Sequence, residues 1–138
     1  MSRTVIGILL GFVAMWLVAA SVEFLSHAIY PPPAGLDPTI HEHLQIIIET
    51  APTGALLLLV CAWVAGAFAG GWTAARIARH PRVAAAIVAL GVMGGVIGMI
   101  VVVPQHPRWV SIMGLLLPMP VALIASRLAL YREKTLPQ

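Results

Sequence analysis

Apolar residues fill four long stretches of the chain, at about 4–27, 53–78, 83–103 and 109–130, and the polar residues are confined to short segments between them. About 20 residues rising 1.5 Å each cross a hydrocarbon core of roughly 30 Å, so each stretch is long enough to span a membrane. The pattern predicts an all-α membrane protein with four transmembrane helices. Little sequence remains outside them for a second core, so 1–138 reads as one domain. The first apolar run exceeds the roughly 7 to 15 residues of a signal-peptide core and has no clean small-x-small cleavage site, which predicts a retained helix.

The segment between the first two stretches has its own pattern. Tyr30-Pro31-Pro32-Pro33-Ala34-Gly35 cannot continue a helix, because successive prolines remove donors and push the preceding residues toward extended geometry. Asp37-Pro38 then predicts a restart, with a capping carboxylate and proline at the first helical position. Ile40, Leu44, Ile47 and Ile48 recur at helical spacing while His41, Glu42, Gln45 and Glu49 take the other side. This predicts a short amphipathic helix at about 38–50, lying on the outer leaflet and ended by Pro52.

Composition agrees with the pattern. The chain is 60% hydrophobic and 9% charged, with a mean hydropathy of +0.97, whereas soluble domains are about one quarter charged. Arg3, the group Arg76, Arg79 and Arg82, and the group Arg127, Arg132 and Lys134 fall at ends that the positive-inside rule assigns to the cytoplasm. Arg108 alone falls outside, with Glu23, Asp37, Glu42 and Glu49, while Glu133 lies inside. The predicted topology is N-in/C-in, and the net charge of +3 reads as a topology signal rather than a nucleic-acid footprint. Cys61 is the lone cysteine and falls inside the second span without a disulfide partner.

Small residues mark the packing faces. Ala62, Gly66, Gly70 and Ala74 recur every four residues in the second span, and Gly91 to Gly95 and Gly94 to Gly98 do so in the third. This spacing lets helix backbones approach closely where lipid supplies no hydrophobic drive. The two helices are expected to form the packed centre, against each other or against a second copy. Pro118 and Pro120 fall near the middle of the fourth span, free carbonyls around Gly114 and Leu116, and predict a kink or break. Interrupted helices at mid-depth mark ion sites in some transporters, but no carboxylate, histidine or amide flanks this one, so a packing kink is favoured.

The candidate chemistry gathers at one face. Glu23, Ser26, His27 and Tyr30 follow one another at i, i+3, i+4 and i+7, so one helical stripe presents a carboxylate, a hydroxyl, an imidazole and a phenol. His41 and His43 follow, and His106 and Arg108 reach the same face from the loop before the fourth span. Three readings fit. Glu23, His27, His41 and His43 could ligate a metal such as zinc, although their spacing matches no strong motif. Glu23 could titrate in a proton or cation path built from several copies. The favoured reading is structural: Glu23 near the interface, bonded to Ser26, His27, Arg108 or the proline turn. No Ser-His-Asp set, glycine-rich phosphate loop, Cys-x-x-Cys or haem pattern is found, which argues against an enzyme. Trp16, Trp63, Trp72 and Trp109 read as packing and interfacial anchors.

Two runs, Tyr30 to Asp37 and Gly66-Ala67-Phe68-Ala69-Gly70-Gly71-Trp72-Thr73-Ala74-Ala75-Arg76-Ile77-Ala78, resemble a family of small four-span bacterial membrane proteins usually called hypothetical. The resemblance covers about the first 80 residues and implies a bacterial inner membrane, with no activity, ligand or catalytic residue to carry over. The His41-Glu42-His43 triplet departs from the family pattern. The expected role is that of a non-enzymatic structural or accessory protein without a cofactor. Its partners would be the bilayer and either further copies of itself or a larger membrane complex, with no nucleic acid.

Overall fold

A computed structural model describes residues 2–37, 39–104 and 106–135, with the backbone alone at 2 and 132–135. It contains six α-helices: α1 (Ser2–Ile29), α2 (His41–Glu49), α3 (Thr53–Ile77), α4 (Pro81–Val102), α5 (Arg108–Leu116) and α6 (Pro118–Thr135). There is no strand among the described residues. Four helical segments are long and apolar enough to cross a membrane: Arg3–Ile29, Thr53–Ile77, Pro81–Val102 and Arg108–Tyr131. They coincide with the four predicted spans to within about three residues. The charges at Arg132, Glu133 and Lys134 lie outside the described side chains.

Helix α3 is the centre of the bundle, packed by α1, α4, α5 and α6. Small residues make this possible. A Cβ added at Gly11 would stand 2.8 Å from the Gly70 carbonyl oxygen, and one at Gly70 would stand 2.7 Å from that of Gly11. Gly7 faces Ala74 and Ala78 in the same way, and Gly66 faces Met15 and Ala19. The small-residue strip of the second span is therefore closed by α1, whose own Gly7 and Gly11 repeat the same spacing. On the neighbouring face Gly71 meets the Ala122 backbone of α6, beside a cluster of Ala85, Ala89 and Ala122. Val88 of α4 closes the junction of α1 and α3 and is fully buried.

The third span behaves differently from the second. Gly91 is covered by the Phe12 ring, whereas added Cβ atoms at Gly94, Gly95 and Gly98 would meet nothing within 4 Å. The glycines of α3 and α4 thus do not pack on each other.

The fourth span is interrupted where the prolines fall, with α5 ending at Leu116 and α6 beginning at Pro118. Pro118 and Pro120 have no N–H to offer the carbonyls of Gly114 and Leu116. The chain still continues in one direction, because Leu117 N–H donates to Met113 O at 3.0 Å and Val121 N–H to Leu117 O at 3.2 Å. The Trp63 ring packs on Gly114, just ahead of the break, where an added Cβ would stand 2.5 Å from it. Trp72 instead stacks on Phe68 with ring centroids 6.0 Å apart, and the Arg76 guanidinium lies 5.8 Å from its ring centre.

The short helix begins later than its sequence pattern predicts. Its first residue is His41, with Ile40 at the N-cap and no side-chain cap. Asp37 closes a turn ahead of the helix, its Oδ1 accepting from Thr39 N–H at 2.9 Å and from the Thr39 hydroxyl at 2.7 Å. The carboxylate predicted as a helix cap is used locally, as aspartate side chains commonly are. Pro38, predicted at the first helical position, lies outside the described residues. Among the described residues α2 comes within 8 Å, between Cα atoms, of no other helix. It stands off the bundle at the end where α1 stops and α3 starts. Arg3, Arg76, Arg79 and Arg82 gather toward the opposite end, where Gly7 meets Ala74 and Ala78.

Candidate functional site

The gap between α2 and the bundle is a cavity of about 250 Å³. Its walls come from four parts of the chain. The last turns of α1 contribute Glu23, Ser26, His27 and Tyr30, so the stripe drawn from helical spacing does face one space. The proline turn follows, then Leu44, Ile47 and Ile48 of α2, then Ala55, Leu56 and Leu59 of α3. Met99 and His106 close the remaining side. The α1 residues are exposed or half-buried, whereas Ile48, Leu56 and His106 are buried, so polar groups line the mouth and hydrocarbon lines most of the interior.

Local hydrogen bonds set the chemistry of each polar member. The His27 Nδ1–H donates to the Glu23 backbone carbonyl at 2.8 Å, which leaves Nε2 of the neutral ring as an acceptor. The Glu23 carboxylate itself makes no hydrogen bond or ion pair among the described residues. The bonds expected from it to Ser26, His27, Arg108 or the proline turn are not formed among the described residues, and the His27 ring bonds the Glu23 backbone carbonyl instead. Tyr30 lays its hydroxyl against Gly54, in the first turn of α3, where a side chain would collide with it. Thr50 spends its hydroxyl proton on Ile46 O at 2.7 Å. Arg108, grouped with these residues by sequence, is exposed and does not line the cavity.

His106 is the member that sequence reasoning placed at this face without assigning it a part. It is 8% exposed, and its Nδ1–H donates to Val103 O at 3.0 Å. Val103 follows the last turn of α4, where carbonyls lack intrahelical partners, so the imidazole serves as a C-terminal cap. That bond fixes the tautomer and turns Nε2 into an acceptor. Nε2 is buried and has no hydrogen-bond partner among the described residues. A buried acceptor left unpaired costs about 1–3 kcal/mol, which makes this atom an exception among buried polar groups.

The proposed metal ligands are not gathered. Among the described residues no three His, Cys, Asp or Glu side chains come together in a group that could hold an ion. His43 Nδ1 accepts the Asp37 N–H at 3.0 Å, and His41 pairs with Gln45 at 3.0 Å, so both rings are engaged within the α2 segment. A second, smaller hollow at the opposite end is bounded by Thr4, Val5, Arg79 and His80. The chain matches no protein-family model, no curated protein and no solved structure.

Proposed function

We propose that the chain is a non-enzymatic accessory protein of a bacterial inner membrane, and that it works as a self-associated assembly. It would sit with both termini and the Arg76–Arg82 loop in the cytoplasm and α2 outside. The arginine-rich end and the acidic α2 end support that orientation under the positive-inside rule.

The observation that carries self-association is the open face of α4. Gly94, Gly95 and Gly98 would accept side chains without contact, and exposed Leu90, Ile97 and Val101 flank them. The same chain joins α1 to α3 through glycines four residues apart, so this spacing already holds helices together here. A second copy of α4 is the occupant whose own small residues leave room for such an approach. Native mass spectrometry from lipid discs tests it: the wild type is expected as a defined oligomer, and the Gly95→Ile/Gly98→Ile variant as a monomer. A monomeric wild type, or a variant with unchanged stoichiometry, would sink the reading.

A further inference from the structure

We propose that the hollow at the arginine-rich end holds the phosphate of an anionic phospholipid, gripped by Arg79, His80 and Thr4 while an acyl chain lies along Val5, Leu9 and Val13 of α1. Close packing builds the hollow. A Cβ added at Gly7 would stand 3.0 Å from the Ala78 amide nitrogen, so α1 and the end of α3 touch there. Thr4 lies about one helical turn before Gly7, and Arg79 and His80 directly follow Ala78. The contact therefore seats the first turn of α1 beside the turn from α3 to α4, and Thr4, Val5, Arg79 and His80 bound a space of about 240 Å³. A single water needs only about 10–15 Å³, so a phosphate group fits with water around it.

The chemistry of the walls selects an anion. Arg79 brings a planar fork of N–H donors suited to phosphate, His80 an imidazole N–H and Thr4 a hydroxyl. None of these three side chains makes a hydrogen bond or ion pair among the described residues. Arg76, about one turn earlier, is instead set over the Trp72 ring, 5.8 Å from its centre. The acids whose side chains are described, Glu23, Asp37, Glu42 and Glu49, all lie toward the other end. Position then selects a lipid over a soluble phosphate. The hollow lies where the Arg3–Ile29 and Pro81–Val102 spans begin and Thr53–Ile77 ends, which is headgroup depth. Val5 is part of its wall, and Val5, Leu9 and Val13 follow at i, i+4 and i+8, all exposed. An apolar strip thus runs from the hollow toward the middle of the bilayer, as an amphiphile with a charged head requires. The site depends on neither the orientation nor the self-association proposed above.

Native mass spectrometry of the full chain tests it, with release from discs that contain equal amounts of phosphatidylglycerol and phosphatidylcholine with the same acyl chains. Phosphatidylcholine carries the same phosphate, but its cationic choline would face the arginine charge. The expected result is one phosphatidylglycerol retained per chain, preferred about tenfold over phosphatidylcholine. Arg79→Gln should lose most of that preference and Arg76→Gln should keep it, although each removes one positive charge. Both positions are exposed, so neither change disturbs the packed bundle. Thr4→Asp suits the first turn of a helix, yet it sets a carboxylate in the hollow and should abolish retention. The proposal is overturned if the two lipids are retained equally, if Arg76→Gln and Arg79→Gln lose the same amount, or if retention is undiminished in Thr4→Asp. Displacement of the lipid by inorganic phosphate would also overturn it, by making the occupant a soluble anion.

Discussion

At the scale of single residues, hydrogen bonding decides which side chains are free to meet a ligand. Asp37, His27 and His43 are occupied by neighbours within six residues, while His106 reaches back three residues for one bond and is left with a buried lone pair. Asp37 also gives a pH prediction. The Thr39 hydroxyl, then the Thr39 amide, hold its carboxyl below its ordinary value of 3.8, against a smaller opposing effect of desolvation and with the least pull from His43. Because the folded value is depressed, the turn is stabilised above the ordinary aspartate range and loses that support as pH falls through the lower folded value. The Thr39 amide resonance should therefore move in an acid titration from about pH 5 to 2, with a midpoint below that of an unstructured aspartate. An amide whose midpoint matches a free aspartate, or that is already shifted the same way in Asp37→Asn, would refute the cap. The Asp37-Pro38 signal was legible in the sequence as a capping carboxylate, read there as the cap of the short helix. Its target, Thr39 rather than the helix, was not, because the same side chain fits either partner and only the backbone path chooses.

At the scale of elements, α1 and α3 are joined by close backbone approach rather than by large side chains. Adding atoms there separates the helices. Gly70→Leu should lower resistance to unfolding by sodium dodecyl sulfate by about 1–3 kcal/mol or more, the usual cost of overpacking, since even its Cβ would fall 2.7 Å from Gly11 O. Leu57→Ala, at a position 52% exposed, should change it much less. Circular dichroism during the titration checks the pair, and equal losses would refute the α1–α3 seam. The Gly66/Gly70 strip was readable as a packing face, and the second helix as central. Its partner was not readable, because a small-residue spacing says that a helix comes close and not which one. Gly7 and Gly11 carried the same spacing in the first span and were the available signal. The proline break at Leu117 was readable from covalent chemistry alone, but the Trp63 ring that packs on Gly114 beside it comes from another helix.

At the scale of the whole molecule, the distribution of charge between the two ends carries the proposed orientation. In a Cys61→Ser background, a cysteine at exposed Ala34 should react with a membrane-impermeant maleimide in intact cells, and one at exposed His80 only after permeabilisation. The reverse pattern would invert the topology. The sequence by itself determined the class and the number of long helices, because the length of an apolar run and the places where proline stops it are local quantities fixed by the bilayer and the backbone. It also determined that Glu23, Ser26, His27 and Tyr30 share a face, since 3.6 residues per turn require it. Only the tertiary structure decided that α1 closes the glycine strip of α3 while that of α4 stays open, and that α2 stands away from the bundle to leave a cavity. Only it decided that a histidine from the loop before α5 lines that cavity while its Nε2 is buried without a partner among the described residues. Those outcomes depend on which surfaces meet across long separations in sequence, and the local pattern does not encode that choice.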